Sequence, residues 1–267
     1  MKLSQHIKEN LNLSFPIMIS QLGHITVGVA DSLMIGNVSI TQLAAVSLST
    51  SIFGFILLFC IGLSYGITPL ISSKKSDKNY ISMTFYNGLY LNMFFTILLV
   101  VITIYSKYFL KYLGQDEEVL FHTYKYLDII SISLLPLMLF QTFKQFIEGL
   151  GLTKPAMYIS IFSNVINILL NAVLIFGLFG FPRLEIIGAA YATLISRVLM
   201  FFIIFIYCLN SRRFQEYLLR LNISFNYTSF KAIFGIGFTS GLQYIFEVGA
   251  FTVATVIIGS IGAIQLA

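Results

Sequence analysis

Seven uninterrupted apolar runs, at 14–36, 43–72, 81–106, 119–143, 155–179, 187–209 and 233–259, account for most of this 267-residue chain. Each is as long as the roughly 20-residue helix needed to cross about 30 Å of hydrocarbon. Backbone groups in lipid must find their partners within the segment, and no alternating pattern of barrel strands occurs, so the runs predict helices. Charged residues make up only 10% of the chain, against about 25% in soluble domains. The fold class predicted is an all-α polytopic membrane protein with the lipid bilayer as its first partner.

Orientation is read from the positive residues between the runs. The leading segment (Lys2, Lys8) and the second/third (Lys74, Lys75, Lys78), fourth/fifth (Lys144, Lys154) and sixth/seventh (Arg212, Arg213, Arg220, Lys231) loops hold eleven. The opposite loops hold three: Lys107, Lys111 and Arg183. This bias predicts a multi-pass protein of the plasma or inner membrane with a cytoplasmic N-terminus. The net charge of +5 belongs to these loops, and no long basic cluster points to nucleic acid. The polar N-terminal segment leads directly into a full-length apolar run, which does not resemble a cleavable signal. Cys60 and Cys208 sit within apolar runs, without the spacing of a metal site, and read as small buried hydrophobes.

An internal comparison adds what hydropathy cannot. IGNVSITQLA (35–44) and IGSIGAIQLA (258–267) share Ile, Gly, Gln, Leu and Ala without a gap at an offset of 223 residues. Chance likeness of two apolar segments is the competing reading. Taken as a repeat, the pattern predicts a six-helix lobe over 1–209, a cytoplasmic linker over 210–232, and the first helix of a second six-helix repeat over 233–267. The chain is then expected to be a fragment of a twelve-helix transporter.

Three acids fall inside the runs: Asp31, Asp128 and Glu247. A carboxylate near the bilayer centre costs a few kcal/mol, so such residues face a polar cavity or a partner. Asp128 lies three residues after Lys125, and an interfacial ion pair between them explains both. Gln21, His24, Gly28 and Asp31 share one face of the first helix; Asn164, Asn167 and Asn171 repeat that spacing on the fifth, and Ser240, Gln243 and Glu247 on the seventh. Interhelical hydrogen bonding explains the amides without any ligand, but not the acids. Asp31, Asn171 and Thr193 each lie about 8 to 9 Å below the outer helix ends, a common level at which three oxygens form a cation or proton site. Glu247 lies nearer the midplane and suggests a second site. Burial favours the neutral form of a carboxylate, so acids of this kind can trade a proton for a cation. Arg197, one turn beyond Thr193, either neutralises Asp31 or an acid outside the chain, or snorkels toward the interface.

The segments VADSLMIGNVSITQLAAVSL, EGLGLTKPAMY, NVINILLNAVLIFG, GAAYATLISR and YIFEVGAF resemble, in order, those of the multidrug and toxic compound extrusion (MATE) transporters. The resemblance implies two six-helix lobes around a V-shaped cleft, and export of organic cations driven by sodium or proton influx. It places Asp31 on the family's helix-one acid, Asn167 on its helix-five asparagine, Thr193 on its helix-six threonine and Glu247 on its helix-seven glutamate. Asn171 departs from it, since that position is commonly aspartate. A sodium ion held by Asp31, Asn167, Asn171 and Thr193 therefore competes with a proton on Asp31. Gln21, His24, Asn164, Gln243 and Arg197 are the substrate-cleft candidates.

The activity predicted is a monomeric antiporter for small organic cations, with Asp31, Asn167, Asn171, Thr193 and Glu247 in coupling and no cofactor beyond the ion. A flippase of the same superfamily, moving lipid-linked sugars, is the alternative; it calls for more cationic residues in the cavity than Arg197. A seven-helix receptor conflicts with the charge bias, and no G-x-x-x-x-G-K-[ST] loop or metal-ligand spacing supports a pump or an enzyme.

Overall fold

A computed structural model describes residues 3–218 and 224–261, with the side chains of 3–9, 12, 113 and 251–261 left aside. The described residues are almost all helical, joined by short turns. Helix α1 spans Leu3–Gly36, α2 Ile40–Ser64, α3 Ile67–Ser73, α4 Lys78–Ser106, α5 Glu117–Ile132, α6 Leu134–Gly149, α7 Lys154–Phe176, α8 Ile186–Asn210, α9 Arg212–Leu218 and α10 Tyr227–Ile261. Among the described residues, six stretches are long and apolar enough to cross a membrane: Leu13–Gly36, Ile40–Ser73, Lys78–Tyr112, Glu117–Gly149, Lys154–Phe176 and Ile186–Asn210. The seventh apolar run forms α10. Residues 262–267, which carry half of the internal repeat, and 219–223 of the expected linker lie outside the described residues.

Local chemistry sets the ends. Ser39 and Asp77 accept the backbone N–H of Gln42 and Tyr80 at the starts of α2 and α4. Pro155 opens α7 and Gly177, at φ +71°, closes it. Two runs that read as single helices are broken. The second turns between Ser64 and Ile67. The fourth divides at Ser133, which places Pro136 in the first turn of α6, where its missing N–H costs no helical bond.

Side chains such as Leu33, Phe94, Phe162, Leu169 and Phe202 point outward and are exposed on the surface of the bundle. The core lies around α5 and α6, where Leu127, Leu134, Met138, Phe140 and Phe146 are wholly enclosed. Phe85 meets Phe143 and Phe146 with ring centroids 5.1 and 4.9 Å away, locking α4 to α6. Cys60 and Cys208 are free and buried.

Helix α10 lies against α2 through two Gly-x-x-x-Gly pairs, Gly62/Gly66 and Gly237/Gly241. A Cβ on Gly66 would sit 2.3 Å from the Ile233 carbonyl oxygen, and one on Gly237 2.2 Å from that of Leu63. The backbones touch, and only glycine permits it.

Three charges depart from the sequence-based expectations. Lys144, assigned to the fourth/fifth loop, lies inside α6 and is 1% exposed, because the helix continues to Gly149. Asp128 pairs with Lys107 at 2.5 Å, not with Lys125, whose ammonium sits 3.9 Å from the centre of the Phe121 ring. Lys125, three residues earlier on α5, turns to that ring instead, leaving Lys107 at the end of the preceding span to meet the acid. Arg197 does not snorkel; it turns into the helix bundle.

Candidate functional site

Packing of α1 on α7, and of α7 on α8, determines what can meet. At Gly23 a Cβ would lie 2.5 Å from the amide nitrogen of Asn164, so α1 approaches α7 closely there. At Gly188 it would lie 2.6 Å from the Leu174 carbonyl oxygen, and the Leu184 N–H donates to that same oxygen at 2.9 Å, joining the end of α7 to the start of α8. One helix face of amides is thereby held against an acid on one side and hydroxyls on the other.

A continuous hydrogen-bonded chain results. Asn171 donates through Nδ2 to the Asp31 carboxylate and to Oδ1 of Asn167 at 3.1 Å. Asn167 donates onward to Oγ1 of Thr193 at 3.4 Å and to Oγ of Ser196 at 3.3 Å. All five side chains are buried, Asp31 at 9% exposure and Asn171 at 0%. The Asn171 Oδ1 is buried without a hydrogen-bond partner, leaving an unused acceptor beside the carboxylate. Such a donor set can hold a proton on Asp31, or a small cation against its oxygens.

Asp31, Asn167, Thr193 and Ser196 line a cavity of about 360 Å³. Gln21, His24, Asn164 and Arg197 line the same space. Arg197 donates to Ser133 Oγ at 2.6 Å and lies 5.7 Å from the centre of the Phe53 ring. Among the described residues it makes no ion pair with Asp31. The guanidinium is held by the hydroxyl at the α5/α6 break, which leaves the acid free to exchange its partner. Gln243 and Glu247 lie exposed on α10, away from this cavity.

Sequence reasoning missed Ser196, Tyr126, Ser163 and Gln141, which also line the cavity. Ser196 lies three residues after Thr193, on the same face, and that spacing was legible. Nothing local marks Tyr126 or Gln141. A second cavity of about 640 Å³ lies toward the other end of α1, sharing Gln21 and Ile25 with the first. No group of three or more His, Cys, Asp or Glu side chains suited to a metal ion occurs among the described residues.

Comparison with known proteins matches residues 16–173 to the MatE family model. The chain is 30% identical over 265 residues to the multidrug resistance protein NorM of Photobacterium profundum, covering 97% of this chain and 58% of that protein. It is 28% identical over 264 residues to NorM of Vibrio parahaemolyticus, covering 96% and 57%. A crystal structure of MATE in complex with MaD3S superposes with a TM-score of 0.85 at 24% identity, covering 97% of this chain and 58% of that one. A MOP superfamily transporter from Pyrococcus furiosus gives 0.82 at 20% identity, covering 97% and 57%. These structures speak for the fold. The chain spans a little over half the length of the proteins it matches.

Proposed function

The chain belongs to the MatE family, and from that premise we propose that it acts in a secondary antiporter that exports organic cations in exchange for protons. The observation carrying this reading is the Asp31 carboxylate, buried in a cavity wall, bonded to a neutral amide and unpaired with Arg197. Its charge is available to a cation or a proton, but not to both at once. That competition is the elementary step of exchange.

A proton suits this donor set better than sodium. Among the described residues lining this cavity Asp31 is the only acid, and the Asn171 amide already takes one of its lone pairs. The unused Oδ1 of the same amide supplies an acceptor for the O–H of the protonated acid. Sodium would find one charge and several neutral oxygens. Protonation from outside neutralises Asp31 and discharges the cation, and loss of the proton inward restores the charge. One monovalent cation leaving for one proton entering moves no net charge, so it is the inward pH gradient that drives export, supplying about 1.4 kcal/mol per pH unit.

The NorM relatives are named as multidrug resistance proteins, which supports small organic cations as cargo. The flippase reading gains one observation, since Lys144 joins Arg197 as a second buried cation in the helix bundle. Glycolipid translocation, measured beside drug efflux, separates the two.

The test is ethidium efflux from cells expressing the protein. Asp31→Asn is expected to reduce efflux to the background of empty cells at unchanged membrane abundance. Collapse of the proton gradient by a protonophore is expected to stop efflux by the unaltered protein, whereas sodium removal leaves it intact. Undiminished efflux by the Asp31→Asn protein removes this carboxylate from the mechanism.

A further inference from the structure

The cavity of about 640 Å³ is lined by Lys144, Gln145 and Glu148 of α6, Gln21 of α1, Tyr65 beyond α2 and Tyr244 of α10. It holds two opposite charges that stability alone does not account for. Lys144 is 1% exposed, and Glu148 stands one turn further along the helix, about 6 Å by helical rise. Among the described residues no ion pair joins them. Lysine before glutamate at this spacing is the weaker order for an intrahelical pair, and Glu148 opposes the helix dipole one residue from the end of α6. Gln145, between them and 2% exposed, has its Nε2 buried without a hydrogen-bond partner. One N–H on this wall thus lacks an acceptor, and the two charges act on each other across a helical turn without direct contact.

The opposite wall is aromatic. The Tyr65 and Tyr244 rings stand 5.8 Å apart, and Gln21 donates to the Tyr65 hydroxyl at 3.0 Å. A flat group has a surface to lie on there.

We propose that this cavity is a loading site for aromatic zwitterions, whose ammonium meets Glu148 and whose carboxylate meets Lys144 and the free Gln145 N–H. Such a ligand supplies each charge with its opposite and leaves the site neutral, so neither side chain is left as an uncompensated charge. Gln21 and Ile25 belong to both cavities, and Asp31 lies ten residues beyond Gln21, about 15 Å along α1. The two cavities are therefore neighbours along α1, and cargo loaded here has a short distance to cover to the exchange carboxylate. The inference rests on the proposed transport function only for the use made of the site.

The probes are Nα-dansyl-lysine, which carries both charges, dansylcadaverine, its decarboxylated counterpart, and dansylnorleucine, which lacks the amine. Binding to the purified protein in detergent is followed by dansyl fluorescence, with no gradient present. The unaltered protein is expected to bind dansyl-lysine at least about tenfold tighter than either single-charge probe, a factor worth about 1.4 kcal/mol. Lys144→Met is expected to equalise dansyl-lysine and dansylcadaverine, and Glu148→Gln to equalise dansyl-lysine and dansylnorleucine. The reversed pair, Lys144→Glu with Glu148→Lys, keeps both poles and is expected to keep the preference. Equal affinities for the three probes in the unaltered protein overturn the proposal, as does a full preference surviving in both single variants. If those variants fail to fold, the ranking on the unaltered protein decides alone. A protein that binds the zwitterion yet exports no cation refutes the antiporter reading and leaves this site standing.

Discussion

Asp31 and Asn171 meet inside the helix bundle, and their pairing explains why a lone acid is tolerated in an apolar span. The carboxylate receives one amide donor and faces a cavity rather than lipid, so its solvation is supplied by protein and water. Converting Asn171→Asp would put two carboxylates in hydrogen-bond range, where one must stay protonated or a cation must bind. Sodium-stimulated ethidium efflux is expected to appear in that variant, and its absence would show that the neutral oxygens, not the charge count, select the ion. Gln42 does comparable structural work at the end of the bundle where α2 and α8 begin. Its amide donates to the Glu185 carboxylate and accepts the Ile186 N–H at 3.1 Å, tying the start of α2 to the start of α8. Gln42→Leu strands a buried N–H and is expected to cost about 1–3 kcal/mol, read as a lowered melting temperature in detergent.

Among the elements, α2 and α10 show what a small side chain does for a membrane protein. Lipid chains are as apolar as leucine, so helices gain little by hiding apolar surface and associate through close backbone approach. Gly62 and Gly66, at and just beyond the end of α2, and Gly237 and Gly241 on α10 provide it over about one turn, and the atoms a Cβ would strike are mostly backbone, which cannot swing aside. Gly237→Ala is therefore expected to destabilise the crossing by about 1–3 kcal/mol, as overpacking does. The check is a lower melting temperature together with weaker disulfide crosslinking between cysteines placed on α2 and α10. Helices α5 and α6 teach a different lesson. Hydropathy ends the fourth run at 143, just before Lys144, whereas the helix runs on to Gly149, short of Pro155. Buried Lys144 was consequently counted as a loop residue, because a hydropathy average cannot tell a charge in a protein interior from one in water.

For the whole molecule, charge bias still points one way after that correction. Moving Lys144 into the membrane leaves ten basic residues on the side of the N-terminus against three opposite, and Lys107 among the three is paired with Asp128. An N-terminal tag is expected to be shielded from externally added protease in intact cells and cut in inverted membrane vesicles; cleavage in intact cells would reverse the topology and, with it, the direction of exchange.

Chain composition and spacing determined the apolar helical runs, the bilayer as solvent and the helix faces that carry Asp31 and Asn171, because lipid leaves a backbone no other solution and a 3.6-residue period leaves few choices of face. Which faces meet was decided by tertiary structure. Arg197 could have neutralised Asp31, and Lys125 could have paired with Asp128; packing at the Ser133 break gave the guanidinium a hydroxyl, and the end of α4 gave Asp128 a different lysine. Those outcomes depend on distances of a few ångströms between segments remote in sequence, and no local pattern encodes them.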